Sequence, residues 1–196
     1  PIDYARRKAP PFTVTVDYAL GPPPAPILDL PLTTAPPAET SAPVAFTPDG
    51  AQFSGGHIVI PHTPHFDLDR PITISFSFQA DSTSGIPVIL SHGLYLVDGW
   101  YIQVLDGRLT VCTPRGNVVG PTVPIGVWHD VRCVYDMALL RLCVNGQWTE
   151  KAIESVVPAN RPLIIGAYVP GDPHDSPTVF RGTIRNLRIY PDALPQ

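Results

Sequence analysis

Apolar and polar residues alternate along two stretches of the chain between residues 128 and 146 (WHDVRCVYDMALLRLCVNG). Alternation with a period of two predicts strands that bury one face, and the short break at 136–139 predicts a turn between them. The pattern therefore predicts an antiparallel β-hairpin. Its core-facing residues are predicted to be Val131, Cys133, Tyr135, Leu140, Leu142 and Val144.

A second alternating stretch begins at Trp100. We predict that Trp100, Ile102 and Val104 point inward, which places Tyr101 and Gln103 on the opposite face of that strand. Helical periodicity is scarce, and 26 prolines and 15 glycines separate many short runs of Val, Ile, Leu and Tyr. This punctuation predicts an all-β sandwich, and 196 residues suit one domain of that class.

Four segments together resemble laminin-G-like domains of the concanavalin A-like jelly-roll family. They are residues 51–61 (AQFSGGHIVIP), 66–78 (FDLDRPITISFSF), the hairpin at 128–146, and 180–194 (FRGTIRNLRIYPDAL). The resemblance covers residues from about 45 to 194 and implies a two-sheet antiparallel β-sandwich. Domains of this family usually bind sugars or proteins and only sometimes catalyse, so the resemblance also implies a binding role.

The first 44 residues differ in composition from the rest. Prolines crowd residues 21–43, and because proline lacks a backbone N–H this stretch favours polyproline II. Residues 12–18 (FTVTVDY) alternate like a strand, however, and residues 27–30 carry apolar side chains that a free linker would not need. We therefore predict a Pro-rich arm or linker over 1–44 that packs on the sandwich, and a jelly-roll domain over 45–196. The basic residues 6–8 are interpreted as a solvated part of the arm.

The low charge of the chain excludes some partners. Charged residues make up 15% of the sequence and the net charge is −4, so no broad basic surface is expected to hold a phosphate backbone. We predict no nucleic-acid partner. No apolar run approaches the roughly 20 residues of a membrane helix, which predicts no membrane span. Because the chain begins at Pro1 rather than Met, we interpret it as one module of a larger multidomain protein.

Three cysteines, Cys112, Cys133 and Cys143, fall on consecutive predicted strands. The hairpin register points Cys133 inward and Cys143 outward, so a disulfide between them is not expected. Strand spacing places Cys112 about 9 to 10 Å from Cys143, beyond disulfide reach. We predict three free thiols. These weakly oppose the extracellular or cell-surface location that the family resemblance favours.

Catalysis is not predicted. Glycoside hydrolases on this fold need two carboxylates that flank the scissile bond, and the glutamates (Glu39, Glu150 and Glu154) form no such pair in the sequence. Asp67 and Asp69 are two residues apart but precede an Arg-Pro pair, which favours a turn-capping role. The sequence also contains no nucleophile elbow and no Gly-rich phosphate loop before a helix.

Histidines are the candidates for metal binding. Only His62 and His65 are close enough in sequence to chelate together, and no acidic or cysteine partner completes a recognised zinc spacing. We predict no cofactor and no metal. The family resemblance allows a structural Ca²⁺ beside the closing strand, but Arg185 stands where an acidic ligand is expected and disfavours it, which leaves Asp49 and loop carbonyls as donors. His129 is interpreted as structural.

The candidate ligand-binding residues are those predicted to lie on outward faces or exposed loops. They are Tyr101, Gln103, Arg132, Arg141, Trp148 and His174. An aromatic ring stacks on a pyranose, and arginines offer paired donors to hydroxyls or carboxylates. We predict that Tyr101, Gln103, Arg132 and Arg141 share one outward face. Two interpretations stay open for this face: it contacts a ligand, or the arm or another domain covers it.

These observations predict a non-catalytic accessory module that binds carbohydrate, with a polysaccharide or glycan as its partner. The alternative is a structural or protein-interaction domain that docks on a neighbouring domain or subunit of the parent protein. The fold alone does not separate the two, because one architecture hosts many different sites.

Overall fold

The computed structural model describes residues 24–41, 43–169 and 178–195. Residues 12–18, the basic residues 6–8 and His174 lie outside the described residues. The strands, in chain order, are β1 (Leu28–Leu30), β2 (Glu39–Thr40), β3 (Val44–Thr47), β4 (Gly50–Ser54), β5 (Ile58–Ile60), β6 (Ile72–Ala80), β7 (Val88–His92), β8 (Trp100–Leu105), β9 (Arg108–Thr113), β10 (Gly116–Thr122), β11 (Trp128–Tyr135), β12 (Leu139–Val144), β13 (Gln147–Ala152), β14 (Leu163–Ile165) and β15 (Arg181–Tyr190).

The strands form two sheets that pack face to face. Sheet 1 has the order β13-β12-β11-β6-β15-β4-β3, with β1 added beside β15, and sheet 2 has the order β10-β9-β8-β7-β14-β5-β2. All pairings between these strands are antiparallel, which confirms the predicted all-β sandwich. Within the described ranges the helical structure is a single 3-10 turn, Pro64–Phe66, and no helix there has the length and apolarity to cross a membrane.

The predicted hairpin is confirmed in detail. Strands β11 and β12 pair with Val131 opposite Val144 and Tyr135 opposite Leu140. All six residues predicted to face the core are buried between the sheets. The turn is closed by Asp136, whose carboxylate accepts the backbone N–H groups of two following residues. The core-facing positions predicted around Trp100 are confirmed as well.

The segment at 51–61 forms two strands that belong to different sheets. Strand β4 belongs to sheet 1, whereas β5 belongs to sheet 2, so the chain crosses between the sheets at Gly55 and Gly56. A Cβ on Gly56 would lie 2.6 Å from the carbonyl oxygen of Ser41, and Gly55 has a φ of +114°. Two adjacent glycines therefore permit a crossing that other residues would obstruct.

Residues at both ends of the described chain lie on the sandwich. Strand β1 pairs with the closing strand β15, and Leu32 is 2% exposed within the main core. Near the other end, the Thr73 hydroxyl donates to the carbonyl of Asp192 and accepts the N–H of Leu194. The tail after β15 therefore crosses the outer face of sheet 1.

Candidate functional site

The outer face of sheet 2 carries a pocket whose floor comes from β8 and β9. Because Trp100, Ile102 and Val104 fill the core, the residues between them point away from it. Tyr101 then lies opposite Cys112 on β9, and the side-chain amide of Gln103 donates to the Cys112 sulfur at 3.4 Å. The register of two adjacent strands thus builds the floor from an aromatic ring, an amide and a thiol.

Two further tyrosines form the walls of this pocket. The ring of Tyr168 packs edge-on against that of Tyr101 with centroids 5.5 Å apart, and the Tyr95 ring lies 6.4 Å from Tyr101. The backbone N–H of Tyr95 donates to the hydroxyl of Tyr168, which ties the two walls together. The Tyr95 loop is braced by the Asp98 carboxylate, which accepts the N–H of Leu94 at 2.8 Å.

The pocket has a volume of about 390 Å³, within the range of small-molecule sites. Its described lining residues are Ile86, Val88, Tyr95, Tyr101, Gln103, Leu105, Cys112, Asn117, Tyr168 and Thr178. None of these residues carries a charge at neutral pH. We name this feature the tyrosine pocket.

The ionisable groups on the pocket floor stay protonated. Burial raises the pKa of Tyr101, and the neighbouring Cys112 raises it further. Burial likewise raises the pKa of Cys112 to about 11, although hydrogen bonds from Tyr101 and Gln103 oppose the shift. The floor therefore offers neutral hydrogen-bonding groups and an aromatic face rather than a proton-transfer group or a reactive thiolate.

The structure does not bring the predicted ligand-binding residues together. Tyr101 and Gln103 lie on the outer face of sheet 2, whereas Arg132, Arg141 and Trp148 lie on the outer face of sheet 1, on the other side of the sandwich. The prediction of one shared face is therefore wrong. Alternation along a strand tells which residues are opposite the core, but it does not tell which of two sheets the strand joins.

Both arginines interact with the protein itself. Arg141 forms ion pairs with Asp136 at 2.6 Å and Glu150 at 3.3 Å. Arg132 donates to the backbone carbonyl of Pro195 at 3.0 Å, so the tail after β15 covers part of the sheet 1 face. Trp148 is half-buried on the edge strand β13, level with Cys143.

A second polar cluster lies where the loop after β5 meets the end of β7. The carboxylate of Asp67 contacts Nε2 of His92 at 3.0 Å and Nε2 of His62 at 3.4 Å. The imidazole rings of the two histidines are parallel, with centroids 5.7 Å apart. Asp67 and His92 are buried, and the side chain of His62 is 24% exposed. We name this group the His-Asp-His cluster.

The cluster corrects two expectations about these residues. Asp67 is not a simple turn cap, because its carboxylate is buried and also accepts the N–H of Ala159 at 2.8 Å, 92 positions away in sequence. An acidic residue does stand beside His62, whereas His65 is exposed and outside the group. His92 was missed, since a lone histidine at the end of an apolar strand gives no local signal.

Electrostatics keep the buried pair in defined protonation states. Burial opposes ionisation of Asp67, but hydrogen bonds from His92 and Ala159 outweigh it and lower the pKa of the carboxyl group. Burial lowers the pKa of His92 and outweighs the opposing effect of Asp67. At neutral pH the cluster therefore holds an ionised carboxylate beside a neutral imidazole.

Two other residues have structural roles. The guanidinium carbon of Arg185 lies 3.8 Å from the centre of the Trp128 ring, a cation–π contact at the position where the family resemblance allowed an acidic calcium ligand. His129 is buried, and its ring nitrogens contact the carbonyl of Pro124 and the side-chain amide of Asn145. Both residues fix the entry into strand β11.

Several solved structures have the same fold as this chain. Mouse laminin α1 chain, domains LG4-5, matches with a TM-score of 0.55 and 18% identity over 70% of this chain and 42% of that one. A botulinum neurotoxin type C structure, from a toxin whose cell entry depends on interaction with two ganglioside molecules, matches with a TM-score of 0.65 and 15% identity over 87% of this chain and 48% of that one. The binding domain of botulinum neurotoxin DC in complex with rat synaptotagmin II matches with a TM-score of 0.64 and 14% identity over 87% and 49% of the two chains.

These likenesses concern the fold, and this chain spans less than half the length of each of those proteins. No curated protein matches the chain significantly in sequence. A laminin-G family model does match, over residues 50–196. The chain therefore belongs to the concanavalin A-like lectin/glucanases superfamily, as its hairpin and closing strand indicate.

Proposed function

We propose that the protein is a non-catalytic binding module and that it takes a neutral glycan at the tyrosine pocket. The observation that carries the proposal is the convergence of Tyr95, Tyr101 and Tyr168 around one uncharged pocket that also holds two side-chain amides. One structural neighbour, whose cell entry depends on gangliosides, is consistent with a glycan partner in general; because gangliosides carry sialic acid carboxylates, the choice of a neutral glycan rests on the pocket alone.

The chemistry of the pocket favours sugars over purely apolar ligands. Tyr95 is 56% exposed, so its ring offers a face on which the C–H groups of a pyranose can stack. Gln103 and Asn117 supply amides that donate and accept hydrogen bonds, as ring hydroxyls require. A small number of polar groups on an apolar wall is typical of sites that fix the orientation of a small ligand.

The absence of charge among the described lining residues favours a neutral glycan over an anionic one. Carboxylate and sulfate groups are recognised by arginine or lysine forks, and the two candidate arginines lie on the opposite sheet. The described lining residues include no carboxylate, whereas most glycosidases use two carboxylates beside the scissile bond. Binding without hydrolysis is therefore the simpler use of this pocket.

A protein partner is the second candidate, and one loop favours it. Tyr95, Leu96 and Val97 are 56%, 66% and 59% exposed, so three large apolar side chains stand together beside the pocket. Exposed apolar groups of this kind often mark contact sites between proteins. Leu96 does not line the pocket, so its substitution separates the two candidates.

A glycan array followed by titration of three variants tests the proposal. We expect Tyr95→Ala to weaken binding of the selected glycan by about 10-fold, the effect of losing an interface anchor worth about 1.4 kcal/mol. Leu96→Ala is the matched loop control, and Arg132→Ala is the control on the opposite sheet; neither should change the affinity. An array with no neutral glycan bound, or equal losses in all three variants, would refute the proposal.

A further inference from the structure

The His-Asp-His cluster has the composition and spacing of a metal site. From this geometry we infer that His62, Asp67 and His92 bind one Zn²⁺ ion through the two Nε2 atoms and the carboxylate. The inference is independent of glycan binding, because the residues of the cluster do not line the tyrosine pocket.

The distances between the ligand atoms fit a zinc ion. Zinc bonds to imidazole nitrogen and carboxylate oxygen are about 2.0 to 2.2 Å, which places tetrahedral ligand atoms about 3.4 Å from one another. Nε2 of His62 lies 3.4 Å from Oδ2 of Asp67, and Nε2 of His92 lies 3.0 Å from the other oxygen, Oδ1. One ligand atom from each of the three residues lies within 4.8 Å of the other two. Small side-chain adjustments would therefore suffice to admit the ion.

The buried part of the cluster is already held in place. His92 packs edge-on against Phe66 and lies beside Trp100, whose indole N–H donates to the carbonyl of Phe66. The N–H of Ala159 donates to the Asp67 carboxylate, an outer contact of the kind that orients metal ligands. Ligands that are fixed before binding lose little conformational freedom when the ion enters.

The second ring nitrogen of His92 is consistent with a metal at the first. When Nε2 donates its proton to Asp67, the buried Nδ1 is left without a hydrogen bond of normal geometry. Binding of a metal at Nε2 places the proton on Nδ1 instead, and the backbone carbonyl of Pro162 is the nearby acceptor. The histidine remains neutral in both states, so the change is one of tautomer.

The ligand types select the class of cation. Two imidazoles and one carboxylate suit Zn²⁺ and neighbouring transition metals, whereas Ca²⁺ and Mg²⁺ prefer sets made of oxygen atoms. The partial exposure of His62 gives the ion a route from solvent and leaves a fourth position for water. The ion would join the loop after β5 to the end of β7.

Calorimetric titration of the full chain with ZnCl₂, after removal of metals by a chelator, tests the inference. We expect one site that His62→Gln weakens at least about 10-fold, since loss of even an outer contact costs 10- to 100-fold in metal affinity. His65→Gln is the matched control, because His65 is an exposed histidine three residues away. It should bind Zn²⁺ as the wild type does, and CaCl₂ and MgCl₂ should not compete.

A second measurement uses the wild type alone and so does not depend on the folding of a variant. In ¹⁵N spectra of the histidine rings, Zn²⁺ should shift the Nε2 resonances of His62 and His92 while the exposed His65 stays unchanged. Three results would overturn the inference: no zinc binding by the wild type, equal affinity in His62→Gln, or ring shifts confined to other histidines.

Discussion

Replacement of Leu32 by alanine tests whether the segment before the sandwich is part of the folded unit. Leu32 is 2% exposed within the main core, although it lies only two residues after the short strand β1. Its backbone has a φ of +62°, a left-handed conformation that is strained for leucine and for alanine alike. The substitution therefore removes buried side-chain volume without relieving the backbone strain.

The expected loss follows from this burial. A buried Leu→Ala change costs about 2 to 5 kcal/mol, and the cost is smaller where neighbouring groups can move into the cavity. Leu32 belongs to a peripheral segment held by three β1 pairs, so we expect a loss of about 2 to 3 kcal/mol. For a chain of this length that corresponds to a fall in Tm of about 4 to 12 °C.

The chain provides a close control for this experiment. Leu96 has a φ of +59° but is 66% exposed, so Leu96→Ala makes the same chemical change on the same backbone conformation without a buried cavity. We expect Leu96→Ala to stay within about 0.5 kcal/mol of the wild type in urea denaturation. If the two variants lost equal stability, Leu32 would not be docked in solution, and a linker would be the better description of the arm.

Two further predictions concern buried groups. In a timed alkylation followed by mass spectrometry, Cys143 should react first, because it is 8% exposed. Burial raises the pKa of Cys112 to about 11 and that of Cys133 to about 12, so both should react more slowly. Faster labelling of Cys133 would contradict the register. Gly166→Ala should lower the free energy of unfolding by about 2 to 4 kcal/mol, because the φ of Gly166 is +91° and a Cβ there would lie 2.3 Å from the Phe53 ring. A melting temperature equal to that of the wild type would contradict this packing.

The strands of the sandwich could be predicted where burial imposes a strict period. In the β11–β12 hairpin, a shift of one residue would turn Cys133 and Leu142 out of the core, so the sequence pattern and the register must agree. Alternation alone does not show how residues 51–61 fold, because β4 and β5 both alternate although they belong to different sheets. The pairing partners of β4 and β5 show that the chain changes sheets there, and the close approach of Ser41 to Gly56 accounts for the glycine at the crossing.

The pocket was only half predictable, for a related reason. The outward position of Tyr101 follows from the alternation of β8, but Tyr95 and Tyr168 arrive from a loop and from the residues after β14, where no period applies. Arg132 shares the outward position of Tyr101 and yet lies on the other sheet. The alternation of a strand shows which of its residues point away from the core. The residues that meet in a site depend on which strands and loops the topology brings together.

The contacts of the His-Asp-His cluster join residues that are far apart in sequence. Asp67 and His92 are 25 positions apart, and the backbone N–H that completes the carboxylate's contacts comes from Ala159, a further 67 positions along the chain. Motif spacing detects metal ligands when one turn or one strand presents them, as in local zinc sequences. Here the strand order of sheet 2, in which β14 lies between β7 and β5, brings the loop after β5 to the end of β7. The cluster can therefore be recognised only once the topology is known. Buried polar groups that contact one another across such distances are therefore a better guide to sites in this fold than short sequence motifs.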